Sequence, residues 1–368
     1  MKSAFLPRLV NGPFSDPGLF VDLRWRGTAM LFDLGRLDRF PAAELLKLTH
    51  VFVSHTHIDH FIGFDRIVRL FLNRDAALAL YGPPGIIRNV LGKLAGYTWN
   101  LVDGYPFVLT VHEVHPDHID SVRLPATTAF TPEDAGRSAF NGVLHDEPAL
   151  RVRAVHLDHK IPCLAFALAE KTHLNVRTDE LERLAIPPGP WLNRLKEAIR
   201  AGAPDDTTLA ATWFENGSRC QRELRLGELR DRLVVETPGQ KLVYVVDTLF
   251  NKPNAAAIVE LARDADIFFC ESLFVDEDRD QGLKRHHLTA RQAGTLARLA
   301  NVKRLEVFHF SPRYQGMAQA FHAEAQAEFR GDTRLEESDR DAAWIAELAR
   351  GARDAAEEPR RGRAAGEA

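Results

Sequence analysis

The stretch Ser54-His55-Thr56-His57-Ile58-Asp59-His60 sets three imidazoles and a carboxylate directly after the apolar run Val51-Phe52-Val53. Imidazole and carboxylate are the usual ligands of zinc and related divalent metals. In an extended segment, positions two apart point the same way, so His55 and His57 can converge on one ion. The chain must turn before Phe61-Ile62-Gly63-Phe64, and that turn can aim Asp59 and His60 at a second point close by. The spacing suggests a two-metal hydrolytic centre. A single His pair in a loop is usually solvated, whereas four ligand types at a strand end are a stronger signal.

Two ions held by four residues would be under-coordinated, so later strand ends must supply more ligands. His159 follows Val155-His156-Leu157-Asp158, Asp247 ends Leu242-Val243-Tyr244-Val245-Val246, and His309 sits in Leu305-Glu306-Val307-Phe308-His309-Phe310. An unpaired imidazole or carboxylate in such apolar surroundings is costly. Taken singly, each reads equally well as a satisfied core or edge residue. His156 rivals His159 from three positions away. His112, His115 and His118 cluster near Val114 and read as surface residues, and His286 reads as a neighbour of His287.

The elements that must position these groups alternate between short apolar runs and longer amphipathic segments. The first half reads as strands at 19–23, 29–33, 49–54, 77–81, 107–114, 150–157 and 164–169, with helices at 61–72 and 86–95. The polar stretch Leu124 to Asp146 has no clean period and reads as an insertion or long loop. Helical pieces at 179–184 and 191–199 flank Ile186-Pro187-Pro188-Gly189-Pro190. Strands at 242–246, 267–270 and 304–310 then alternate with helices at 255–263 and 289–299. Helices at 317–329 and 341–350 follow. This order argues for an α/β fold with layered sheets and outer helices.

The chain has 368 residues and a formal net charge of −4, which gives no support to a nonspecific nucleic-acid coat binder. The N-terminus shows no signal peptide, and no apolar run is long enough to span a membrane. Cys163, Cys220 and Cys270 are odd in number and far apart, with neither zinc-ribbon spacing nor a disulfide framework. Cys163 and Cys270 lie in apolar runs and read as core residues. A reducing cytoplasm fits this usage. Residues 1–350 read as one hydrolase domain with an arm-like insertion at about 171–205, and 351–368 as a disordered tail rich in Ala, Arg, Glu and Gly.

Several motifs, in one order, resemble the metallo-β-lactamase superfamily and, within it, ribonuclease Z, the tRNA 3′-end processing endonuclease. Phe32-Asp33-Leu34-Gly35 is similar to the turn that backs the metal loop. His55-Thr56-His57-Ile58-Asp59-His60 is similar to the superfamily signature, and Asp158-His159-Lys160-Ile161-Pro162 to the third motif. Pro188-Gly189-Pro190 with Leu195-Lys196 resembles the opening of a protruding tRNA-binding arm. Asp247-Thr248 resembles the bridging carboxylate, Glu271 with His287-Leu288-Thr289-Ala290 a catalytic Glu–His pair, and His309-Phe310-Ser311-Pro312-Arg313-Tyr314 the last motif. Val246 and Leu288 stand where the family usually has Gly and Ser, so the chain reads as a divergent member.

The resemblance assigns His55, His57 and His159 to one ion, and Asp59, His60 and His309 to the other, with Asp247 bridging. It implies a four-layer αββα sandwich, commonly a homodimer, and two divalent cations. Zinc is the first expectation, although His and carboxylate sites also accept manganese or iron. The expected chemistry is phosphodiester hydrolysis. Asp59 holds or deprotonates the attacking water, His287 protonates the leaving oxygen, Glu271 orients His287, and Arg313 clamps a phosphate or forms a structural ion pair. The expected partner is RNA, with precursor tRNA leading, and no membrane. Between Lys171 and Arg200, Lys171, Arg177, Arg183, Arg194, Lys196 and Arg200 face Asp179, Glu180, Glu182 and Glu197, so the arm is only mildly basic. The rival reading is a small-molecule phosphodiesterase or other ester hydrolase of the same fold. A third, a metal-binding protein without catalysis, is disfavoured because no ligand position looks lost.

Overall fold

The structure is a computed structural model that describes residues 4–24, 26–215, 218–332 and 341–351. The chain divides into two compact units. The larger comprises residues 5–144, 152–168 and 241 onward.

Its first sheet has eight strands in sequence order: β1 (Phe5–Leu9), β2 (Leu19–Leu23), β3 (Thr28–Phe32), β4 (Leu48–Phe52), β5 (Ala77–Gly82), β6 (Val108–Val114), β7 (His118–Pro125) and β8 (Glu133–Ala139). Strands β3 to β6 run parallel, and antiparallel pairs flank them on both sides. The stretch 124–146 is therefore not a long loop. It holds β8, which pairs with β7, and β9 (Val143–Asp146). The sequence hid β8 because all of its residues are exposed. With no face to bury it has no apolar alternation, and backbone pairing with β7, joined by the ion pairs Arg123–Glu133 and Arg137–Asp120, places it.

The second sheet has six strands. With β10 (Leu150–Asp158) and β11 (Pro162–Glu170), and with the next four strands β12 (Thr172–Val176), β13 (Thr208–Glu215), β14 (Ser218–Arg225) and β15 (Val234–Pro238) set aside, it continues through β16 (Lys241–Val245), β17 (Ile267–Glu271) and β18 (Leu305–Phe308). The order is β18-β17-β16-β11-β10-β9, and β16, β17 and β18 are parallel.

An aromatic layer joins the two sheets. Phe32 and Phe52 of the first face Phe166 of the second at 5.6 and 5.7 Å, and Tyr244 lies 6.0 Å from Phe32. On the outer face of the first sheet, helices Phe64–Phe71 and Ile86–Ala95 bury Phe64, Ile67, Val68, Phe71, Ile86, Val90 and Leu94. On the outer face of the second, helices Lys252–Ala262, Ala290–Leu299 and Ala318–Arg330 bury Ile258, Leu296 and Phe321 with Val243 and Phe268. The result is the expected αββα order of layers. Among the described residues, no helix is long and apolar enough to cross a membrane.

Helix starts follow from local chemistry. The Thr289 hydroxyl accepts from the Gln292 amide at 3.2 Å while the Gln292 side chain accepts from the Thr289 amide at 3.0 Å, a reciprocal cap. The single helix expected over 61–72 is broken instead: Ile58–Phe61 is one short helix and Phe64–Phe71 another. A Cβ on Gly63 would lie 2.3 Å from the Gly35 carbonyl oxygen, so only glycine lets the two loops approach there. Helix 342–351 also forms. The expected tail beyond it lies outside the described residues.

The smaller unit comprises 145–151 and 169–240. It contains the segment 171–205 and adds two strand pairs, β12 with β15 and β13 with β14, and helix Leu226–Leu233. Its own core packs Leu181, Ile186, Trp191, Leu195, Ala211, Leu226, Leu229 and Leu233.

Candidate metal centre

Parallel strands that follow one another through helices end on the same side, where open α/β sheets place their ligands. Here β16, β17 and β18 bring Asp247, Glu271 and His309 to one edge. From the first sheet, β4 delivers Ser54 and His55, and the β3 end delivers Asp33. The β10–β11 turn delivers His159. Asp33, Asp247 and His309 adopt φ of 58°, 47° and 61°, the left-handed region that costs non-glycine residues free energy. The strain turns each chain end sharply enough to point its side chain inward.

His55, His57, His159 and Asp247 present ligand atoms that all lie within 4.8 Å of one another, and so do Asp59, His60 and His309. The Oδ2 atom of Asp247 lies 3.5, 3.3 and 3.4 Å from Nε2 of His55, His60 and His159. Its Oδ1 lies 2.9 Å from His309 Nδ1. Asp59 Oδ2 sits 3.3 Å from His60 Nε2 and 3.5 Å from His309 Nε2. One carboxylate thus touches both halves of the expected ligand set. His55 and His60 are fully buried, whereas His57 is exposed and Asp59 is half-buried, so the pocket opens on their side.

A second layer sets which imidazole nitrogen faces inward. His60 Nδ1 lies 3.0 Å from Asp33 Oδ2, and His159 Nδ1 lies 2.8 Å from the His286 carbonyl. Each directs Nε2 at the pocket, the usual arrangement behind a metal-binding imidazole. Asp33 also accepts from the Ser54 amide, the Ser54 hydroxyl and Tyr244.

The electrostatics are those of an anionic cage. Burial would raise the Asp247 carboxyl, yet His287, His309 and His60 around it hold it well below the carboxylate range. Burial would likewise raise the Asp59 carboxyl, but His309 and His60 beside it hold it well below the usual carboxylate range. His309 would be depressed by burial, but Asp247 beside it pushes it up to about 10. His60 is raised by Asp247 and Asp33 against its burial. His55, desolvated and near His60, drops to about 2. Three buried atoms here, His60 Nε2, Asp247 Oδ1 and His309 Nδ1, have no hydrogen-bond partner. Leaving such atoms unsatisfied is costly. Cations at this point would satisfy them and balance the carboxylates, so the residues fit the expected pair of ions.

Glu271 is fully buried and lies 3.0 Å from His287 Nδ1. It also accepts from the Thr248 amide at 2.8 Å. His287 Nδ1 is 3.6 Å from Asp247 Oδ1, so the pair adjoins the ligand set. Burial would lower the His287 pKa, but Glu271 and Asp247 outweigh it and raise it. Arg313 stands at the rim, 3.6 Å from Asp278 and 5.6 Å from the Phe274 ring centre.

No family model matches the chain. Ribonuclease Z of Deinococcus radiodurans is 34% identical over 313 residues, spanning 83% of this chain and 90% of that protein. The chain belongs to the ribonuclease Z family. Zinc phosphodiesterase ELAC protein 1 of Bos taurus is 26% identical over 331 residues, 82% of this chain and 84% of that protein. The fold is also that of the metallo-β-lactamase fold protein YhfI from Bacillus subtilis, with a TM-score of 0.50 at 15% identity over 89% of this chain and 94% of the other. The chain is a metal-dependent hydrolase with a site for a dinuclear metal centre.

The structure also sorts this family member's other histidines. His156 Nε2 lies 3.0 Å from the Val114 carbonyl, outside the ligand groups. His115 and His118 stack with planes 7° apart and centres 4.3 Å apart, close to Asp120. No ion can lie in two parallel ring planes at once, and Arg137 already holds Asp120 through 2.6 and 2.9 Å bonds. Sequence reasoning did not single out Tyr244 or the His286 carbonyl. A hydroxyl within an apolar strand, three positions before Asp247, was the available signal for the first. The second carried none.

Proposed function

We propose that this hydrolase is an endoribonuclease that cleaves the 3′ side of precursor tRNA with two zinc ions. The observation that carries the reading is the Glu271–His287 pair, 3.0 Å apart, adjoining Asp247 in a cluster that can hold two ions. His55, His57 and His159 would hold one ion, Asp59, His60 and His309 the other, and Asp247 both. When bound, a pair of divalent ions lowers the pKa of a water and offsets charge growing on phosphate oxygens.

The chain's own groups supply the rest. Asp59, half-buried at the open side, accepts the proton of the attacking water. His287 gives its proton to the leaving oxygen, and buried Glu271 holds its ring and stabilises its charged form. Arg313 can exchange its 3.6 Å partner Asp278 for a phosphate oxygen at the rim. The unit 169–240 serves as the arm that grips RNA, and the protein acts as a homodimer in the cytoplasm.

One observation keeps a second reading, a small-molecule phosphodiesterase. Many arm cations are already paired: Arg183 and Arg232 with Glu180, Arg200 with Glu170, and Arg230 with Asp205. Exposed Arg194 and Arg222 donate instead to the carbonyls of Ala210 and Leu184, which leaves their charge for phosphates. The deciding experiment is cleavage of precursor tRNA beside bis-p-nitrophenyl phosphate, with elemental analysis of the same preparation. Turnover of both with two zinc ions per chain supports the RNA reading. Ester turnover without tRNA cleavage sinks it in favour of the second.

A further inference from the structure

Tyr244 is almost completely buried on β16, and its hydroxyl lies 2.9 Å from Asp33 Oδ2. Asp33 ends β3, so the contact crosses from one sheet to the other. The same Oδ2 atom lies 3.0 Å from His60 Nδ1 and 2.9 Å from the Ser54 hydroxyl, while Oδ1 accepts from the Ser54 amide at 2.6 Å. The Tyr244 ring is fixed independently of its hydroxyl. It stacks on Phe308 at 5.3 Å and lies 6.0 Å from Phe32.

These donors are not equivalent. The Ser54 hydroxyl also lies 3.1 Å from His55 Nδ1 and so has a second partner within reach. Among the described residues, the Tyr244 hydroxyl has Asp33 as its one hydrogen-bond partner. A buried carboxylate that must present one oxygen to an imidazole needs its remaining lone pairs occupied, or it turns toward whatever donor is nearest. Tyr244 supplies that constraint from the opposite sheet.

We propose that the Tyr244 hydroxyl is a positioning group for the metal centre, locking Asp33 against His60 Nδ1 so that His60 Nε2 is held toward the ion it shares with Asp59 and His309. This rests on the two-ion reading above. Among the described residues His57 and His159 have no such link to Asp33, and His55 reaches it only through the Ser54 hydroxyl, so the larger effect falls on one ion. Groups that orient metal ligands typically change affinity by about 10- to 100-fold when removed.

The test is Tyr244→Phe, which keeps the ring and removes the hydroxyl. Metal-free protein is titrated with zinc against a chromogenic chelator, and with cobalt(II) for its visible bands. Expected are two ions per chain, one bound about tenfold or more weakly, and a cobalt spectrum altered chiefly for that ion. In an Asp33→Asn background the tyrosine substitution should add nothing, because both act through one carboxylate. Phe166→Leu, a packing loss in the same aromatic layer, should lower thermal stability and leave both affinities unchanged. Tyr244→Phe compared with Phe166→Leu decides the matter should Asp33→Asn fail to fold. Wild-type affinities in Tyr244→Phe, equal weakening of both ions, an additive loss with Asp33→Asn, or weakening of one ion in Phe166→Leu would each overturn the inference. Wild-type protein that binds no ions would overturn the two-ion reading with it, a result distinguishable from failure of Tyr244 alone.

Discussion

Asp247 Oδ1 and His309 Nδ1 approach to 2.9 Å, yet both atoms are buried without a hydrogen bond. Under the two-ion reading a shared cation would account for both their closeness and their missing partners. Asp247→Asn removes the charge that both ions would share. Metal content should fall from two ions per chain to at most one. Several kcal/mol of transition-state stabilisation go with the metals, so ester hydrolysis should drop by about 10³-fold or more. Elemental analysis and turnover of bis-p-nitrophenyl phosphate check both parts, and full metal content in the variant would remove Asp247 from the bridging role.

Glu271→Gln tests the acid. Metal content should stay at the wild-type level while turnover falls by roughly 10²- to 10⁴-fold, the range for general acid–base catalysis. Combining it with His287→Ala should add little, since the two act as a unit. The Glu271 carboxylate helps raise the His287 pKa. The acid must be protonated to work, so the alkaline limb of the rate profile should move to lower pH in Glu271→Gln. An unmoved limb would mean that His287 is not the titrating acid.

Stability should carry a pH signature away from the metals. Burial lowers His112 to about 4, with its ring stacked 4.3 Å from Tyr81. The folded state therefore prefers the neutral ring and the unfolded chain binds the proton first. The contribution is fully present above about pH 6.5 and is lost as pH falls toward about 4, amounting to about 3 kcal/mol. Urea unfolding of metal-loaded wild type and His112→Gln across this window should show the variant's curve falling less steeply on acidification. Parallel curves would contradict it.

The arm is best removed whole. Cutting only 184–203 would take Trp191 and Leu195 from the small unit's core and leave Leu226, Leu229 and Leu233 exposed. Thr172 pairs with Pro238, so the ends of 173–237 lie side by side and a short Gly-Ser linker can close them. That deletion should abolish cleavage of precursor tRNA and largely spare the chromogenic ester, since every residue proposed for the metal centre belongs to the larger unit. Equal loss of both activities would make the unit a structural element of the hydrolase.

The sequence by itself determined the ligand types, their order and most of the strands that carry them, because buried strands such as Leu19–Leu23 must be apolar and a cage of imidazoles and carboxylates must be spelled in those residues. It did not disclose β8, whose exposed residues leave no apolar pattern, or the break at Gly63, which exists because Gly35 approaches from a distant turn. Local pattern gave no way to separate His156 from His159 except likeness to a known motif. Tertiary structure separates the two in space, taking His156 to the Val114 carbonyl and His159 to Asp247. It also decided which nitrogen of His60 faces the pocket, through an Asp33 that Tyr244 holds from the other sheet. Period and composition record what a residue must avoid. Convergence at a point is set by strand ends meeting in space, and no local window of the chain encodes that.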